Sequence, residues 1–212
     1  MTMAPRRRAL AVPALFLLLS GCLGGLLGGG KEADLYRFGG AEAAAAPSGQ
    51  LAPGTFKVQL VMPGFPPEAA GDRILTVEDN RASYIEGARW VSSAPALYRS
   101  ALAARFAEAE GDVPILERRR GDADYVLRVR IDRFEADYAN GPKAPPTVHV
   151  AGIATLFDRE GKEIASYRAV DSDAATANRT GAIVAAFDRA VMRQSAAVAR
   201  WASGAMRGSG RG

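Results

Sequence analysis

Tyr125, Leu127, Val129 and Ile131 alternate with Arg128, Arg130 and Asp132. Alternation with period two is the mark of a strand with one buried face, because successive strand side chains point to opposite sides. The same pattern over Thr55–Met62 puts Phe56, Val58, Leu60 and Met62 on one side and Lys57 and Gln59 on the other; Pro63, Gly64, Pro66 and Pro67 end it. Asp79-Asn80 between Arg73–Glu78 and Arg81–Ile85 predicts a hairpin. Leu35–Phe38 is a further short strand. Val148–Phe157 is apolar on both faces and is expected at the centre of a sheet, with Ile164–Val170 returning beside it after a turn. Two stretches change to helical period. Ser92 or Ser93 can cap the first, with Pro95 in its first turn. Tyr98, Leu102 and Phe106, with Leu97 and Ala101, give it one apolar face up to about Glu110. The second starts near Asn178 as its cap, carries the stripe Val184, Phe187, Val191, Val198 and Trp201, and is expected to end from Gly204. Strands, helix, strands, helix in that order predict an α+β fold: a largely antiparallel sheet with two main helices packed on one face. At 212 residues one folded domain is expected, over 55–207, with a disordered tail at 208–212.

The N-terminus belongs to a different physical regime. Arg6, Arg7 and Arg8 precede an apolar run from Ala9 to Leu19, which is shorter than the ~20 residues a spanning helix needs. A basic cluster, a short apolar core and small residues before a cut site describe a secretory signal, here residues 1–21. The run ends Leu19-Ser20-Gly21-Cys22, which resembles the bacterial lipobox. That resemblance implies cleavage before Cys22, a diacylglyceryl group on its thiol and acylation (palmitate) of its new amine. Leu23, where an aspartate would retain a lipoprotein in the inner membrane, leans toward an outer-membrane anchor facing the periplasm, with the inner membrane as the alternative. Residues 22–54, rich in Gly, Ala and Pro, read as a flexible tether with one short strand.

Removing residues 1–21 takes away three arginines and no acid, so 27 basic side chains become 24 against 23 acidic ones, and the charge falls from +4 to about +1. No strongly basic body remains to track nucleic acid. Gly25, Gly30 and Lys31 match a phosphate-binding loop, but Glu32 replaces the magnesium-holding hydroxyl and no strand precedes it. One cysteine cannot make an intrachain disulfide, one histidine, His149, cannot make a multi-histidine metal site, and no G-x-S-x-G occurs. His149 reads as a polar residue on a strand face. Asp122 and Asp124, like Asp171 and Asp173, read as solvated acids in turns. Arg118-Arg119-Arg120 reads as an exposed loop that could touch anionic headgroups. No catalytic residue, cofactor or metal is expected, and the chain is expected not to be an enzyme.

The body also carries a resemblance. Leu35-Tyr36-Arg37-Phe38, then Val58-Gln59-Leu60-Val61 ending in a proline turn, then Asp72-Arg73-Ile74 with a hairpin leading to Ala88-Arg89-Trp90-Val91, are followed by a helix entered through Pro95. The strand from Tyr125 to Phe134 and a closing helix with Trp201 complete the pattern. Over about residues 33–203 the chain resembles the ABC-type transport auxiliary lipoproteins, the group that includes the paraquat-inducible protein C. The resemblance implies an Mce-domain protein with an ABC permease and ATPase as partners, and a role in moving lipid between two membranes. It brings no catalytic residues. An envelope scaffold or activator for another machine, such as peptidoglycan synthesis, is the alternative. Arg89 and Trp90 have two readings: a core plug with a neighbouring ion pair, for instance to Glu86, or part of a docking surface, where Trp and Arg are enriched.

Overall fold

A computed structural model describes residues 32–40, 56–108, 115–116 and 123–209. The lipobox Leu19–Cys22, the loop-like Gly25–Lys31, most of the tether, Arg118–Arg120 and Asp122 lie outside the described residues.

Eight strands and two helices make up the described body: β1 (Asp34–Tyr36), β2 (Lys57–Leu60), β3 (Arg73–Glu78), β4 (Arg81–Trp90), α1 (Ala94–Glu108), β5 (Ile115–Leu116), β6 (Tyr125–Asp137), β7 (Thr147–Asp158), β8 (Glu163–Ala174) and α2 (Thr180–Ser209). The fold is α+β as expected. The long pairings β3–β4, β6–β7 and β7–β8 are antiparallel. The sheet is nevertheless mixed, because β1 joins β4, β2 joins β5 and β6, and β3 joins β6 in parallel. Parallel neighbours leave no period of their own in a short strand, so alternation could not have shown them.

The β3–β4 hairpin turns through Asp79 (φ 46°) and Asn80 (φ 66°). Two central residues with positive φ match the twist of the flanking strands, and Asp and Asn tolerate that region best after glycine. β6, β7 and β8 run as a long meander, with β7 central. A bulge between Ile131 and Arg133 bends β6. There Gly152 of β7 lies so close that a β-carbon would stand 2.3 Å from the Arg130 carbonyl oxygen. No side chain fits that approach, which is why the strand carries glycine at this point.

The core lies between the helices and one sheet face. Val58, Leu60, Ile74, Leu127, Val129, Ile131, Val150, Ala154 and Leu156 point into it from the strands. Tyr98, Leu102 and Phe106 enter from α1, and Ile183, Phe187, Val191 and Val198 from α2. Phe38, Trp90, Phe134 and Phe187 form an aromatic cluster, with centroids 4.8 Å apart for Phe38–Trp90, 5.3 Å for Trp90–Phe187 and 4.9 Å for Phe134–Phe187.

Several local expectations change. Met62 is exposed, because β2 stops at Leu60 and the chain turns to place Gly64 beside Arg130. Asn178 does not cap α2: its side chain accepts a hydrogen bond from Tyr138 Oη at 2.9 Å and donates to the Pro142 carbonyl at 2.8 Å, tying down the β6–β7 connection. α2 runs through Gly204 and Gly208 to Ser209, so a single small residue inside a well-packed helix costs too little to end it. Trp201 lies at the core margin, stacked on Tyr167 at 5.5 Å. β8 extends to Ala174, so Asp171 and Asp173 stand inside a strand and not in a turn.

Candidate interaction surface

Arg89 and Trp90 are consecutive in β4, so they face opposite ways. Trp90 points inward and is 2% exposed. Its N–H donates to the Asp72 carbonyl at 2.7 Å, and the next N–H, of Val91, donates to Tyr36 at 2.7 Å. The strand is thereby fixed between the β1 segment and the loop before β3. Arg89 points outward and donates to both carboxylate oxygens of Asp72, each at 3.0 Å. Asp72, and not Glu86, is its partner: a bulge in β4 at Gly87 (φ 67°) separates Glu86 from Arg89 and brings Arg89 opposite Arg73, next to Asp72. Leu35 pairs in register with Arg89 and is exposed, as is Val91.

Both helices occupy the core side of the sheet, and the outer side of β6, β7 and β8 carries a chemically distinct face. Alternation along β6 turns Arg128 and Arg130 outward, and the bulge adds Asp132 and Arg133. The register then places residues of three strands in rows: Arg128, Thr155 and Ser166; Arg130, Ile153 and Arg168; Arg133, Ala151 and Val170; Glu135, His149 and Ser172. The Arg128 guanidinium lies over the Phe157 ring, 4.7 Å from its centre, a cation–π contact. Arg130 pairs with Asp132 at 3.3 Å. Arg133 pairs with Glu135 at 2.6 Å and Asp137 at 3.3 Å. Among the described residues Arg168 has no ion pair. Beside it Val170 is 62% exposed. The face therefore has an acid-containing end that is internally neutralised and a cationic end with aliphatic surface.

His149 sits at the neutralised end, its Nε2 3.7 Å from Asp137. Burial lowers its pKa below the ordinary imidazole value, and the Arg133 charge adds to this, outweighing Asp137 and Glu135. It is a strand-face residue, as its sequence setting predicts. On the core side Asp171 and Asp173 are bound by α2: Arg193 reaches Asp171 at 2.6 Å and Asp173 at 2.9 Å, and Arg189 also binds Asp173. The Arg189 hydrogen bond holds the Asp173 carboxyl below the usual carboxylate range. Asp124 serves the fold: it accepts the Lys57 N–H at 2.9 Å and pairs with Arg159.

One buried polar chain had no sequence signal beyond residue type. Tyr98 Oη donates to Gln194 Oε1 at 2.9 Å, and Gln194 Nε2 donates to the Val150 and Ala169 carbonyls at 2.9 and 3.0 Å. It links α1, α2, β7 and β8. Burial pushes the Tyr98 phenol above its usual range. Among the described residues there is no group of three metal-ligating side chains, and no helix is long and apolar enough to cross a membrane. An open depression of about 280 Å³ lies among Thr76, Glu78, Arg81, Tyr84 and Tyr138.

Comparison with known proteins places this architecture. The sequence model of the ABC-type transport auxiliary lipoprotein component family matches residues 36–199. The fold is similar to that of a Xanthomonas campestris protein of the DUF330 family model, with 19% identity and a TM-score of 0.73 over 85% of this chain and 100% of that one. It is also similar to an uncharacterized protein, with 15% identity and a TM-score of 0.62 over 80% and 98%. No curated protein matches the sequence.

Proposed function

The chain belongs to the ABC-type transport auxiliary lipoprotein family, and from that premise we propose that it is the membrane-anchored periplasmic accessory subunit of an envelope lipid transporter, binding an Mce-domain partner that works with an ABC permease and ATPase. The family match supports this reading, because it runs from the last residue of β1 through two thirds of α2 and so takes in most of the arrangement described above. The role is binding and not catalysis: the outward side chains offer charge, apolar surface and free strand edge to a partner.

Cys22 supplies the anchor. Each methylene of its acyl chains buried in the bilayer contributes about 0.8 kcal/mol, and two or more chains hold a protein stably where one does not. Leu23 favours the outer membrane. The segment between Cys22 and β1 gives the body reach, so that binding the transporter becomes an encounter at high effective concentration. Purifying the transporter through a tag on its ATPase, from mildly solubilised envelopes, tests the assignment. The lipoprotein is expected in the eluate together with the permease and the Mce-domain protein; an eluate holding those three without it contradicts the role.

A further inference from the structure

β8 pairs with β7 alone. Its other side presents twelve residues, about 40 Å at 3.3 Å each, with no strand partner among the described residues; the Ser172 and Ala174 carbonyls accept from Arg193 and Arg189, so the stretch up to Val170 is the one open to pairing. The edge is long and contains no proline, and the protections it does carry, a bulge beside Ile164 and the inward-pointing Asp171 and Asp173 bound by Arg193 and Arg189 of α2, flank the stretch from Ala165 to Val170. On the outer side, Arg168 and Val170 stand two residues apart. Arg128, Arg130 and Arg133 on the same face each have a partner in Phe157, Asp132 or Glu135. Arg168 has none among the described residues, and Val170 is 62% exposed.

We infer that the free edge of β8 accepts an extended segment of a partner protein as an added strand, with a carboxylate of that segment on Arg168 and an aliphatic side chain against Val170. Main-chain pairing supplies affinity in such an arrangement, and alternate side chains supply selectivity. A guanidinium next to an apolar side chain selects an acidic–aliphatic alternation. Charge argues against the other occupants. In a two-fold antiparallel pairing of two copies of β8, outward residues meet outward residues. Over the regular stretch those are Ser166, Arg168, Val170, Ser172 and Ala174, none of them acidic, and the outward acid Glu163 stands across the bulge, out of phase with Arg168. An anionic bilayer lying over the face would meet Asp132, Glu135 and Asp137 as well as the arginines.

The test uses the full-length lipoprotein in its own envelope with a benzoylphenylalanine photo-cross-linker at Ser172, an exposed position beside the edge. Irradiation is expected to join it to a second protein, at a peptide bearing Asp or Glu within four residues of the cross-linked position. Arg168→Glu should lower the yield at least tenfold and Arg168→Lys should keep most of it, with the melting temperature unchanged in both. A cross-link to a second copy, to lipid, to residues 41–55 of the same chain or to a peptide lacking a carboxylate would overturn strand addition, as would no cross-link or a yield indifferent to Arg168→Glu. Loss of the cross-link while the ATPase still recovers the chain would leave the transporter role standing.

Discussion

At the scale of single residues, Trp90 and Tyr98 bear most on the core. Trp90 touches Phe38 after β1, Phe134 of β6 and Phe187 of α2, so truncating it opens a cavity that none of them can close alone. Trp90→Ala is expected to cost about 3–5 kcal/mol, measured by denaturant unfolding; an unchanged melting temperature with transporter binding lost would make Trp90 a docking residue instead. Tyr98→Phe leaves the buried Gln194 Oε1 without its donor and should cost about 1–3 kcal/mol in the same measurement. The sequence leaves Trp90 between a core plug and a docking residue; the fold buries it in the aromatic cluster. The sequence does not mark Gln194. A glutamine on an apolar stripe looks like a helix-surface residue until the two carbonyls it serves are seen. Nor could it pair Arg89 with Asp72, since that contact depends on a bulge at Gly87 that no hydrophobic pattern encodes.

At the scale of elements, the segment around β1 is held by side-chain chemistry as much as by pairing. Phe38 enters the aromatic cluster, and Asp188 of α2 accepts the Gly39 and Gly40 N–H groups at 2.7 and 3.3 Å. Gly39 has φ 88°, and a β-carbon there would stand 2.4 Å from Ala101 Cβ, so only glycine allows the strap to pass over α1. Asp188→Ala removes the acceptor for both amides. It should release residues 34–40 to fast hydrogen exchange while β6 and β7 stay protected; equal protection would show the aromatic contact to be sufficient. The strand ion pairs predict pH dependence. Asp173 titrates lower in the folded chain than unfolded, so its contribution is complete above about pH 4 and lost as pH falls through the lower folded value. His149 is also lowered, here by burial, so stability is complete above about pH 6.5 and eroded on acidification as the unfolded state takes the proton first. His149→Gln should flatten the fall in melting temperature that begins below about pH 6.5, and Asp173→Asn the fall below about pH 4. Period-two and helical patterns made the element types legible. The parallel pairings of β1, β2 and β3 were not, because strands of three to six residues do not record which neighbour they join.

At the scale of the whole molecule, the helices cover one face of a mixed sheet and leave the other to charged and aliphatic side chains. The α+β class was readable from the order of periodicities. Arg128 and Arg130 were visible as outward residues of one strand, but the row that joins Arg130 to Arg168 exists only through the register of three strands. The most direct measurement of the accessory role is quantitative mass spectrometry of what co-purifies with the tagged, lipidated chain from mildly solubilised envelopes, beside an unrelated lipidated control and the Cys22→Ala variant. An Mce-domain protein, an ABC permease and its ATPase are expected well above the control, and reduced with Cys22→Ala, which should also leave the membrane fraction in detergent-free buffer. Recovery of cell-wall synthases, or of nothing above the control, would contradict it.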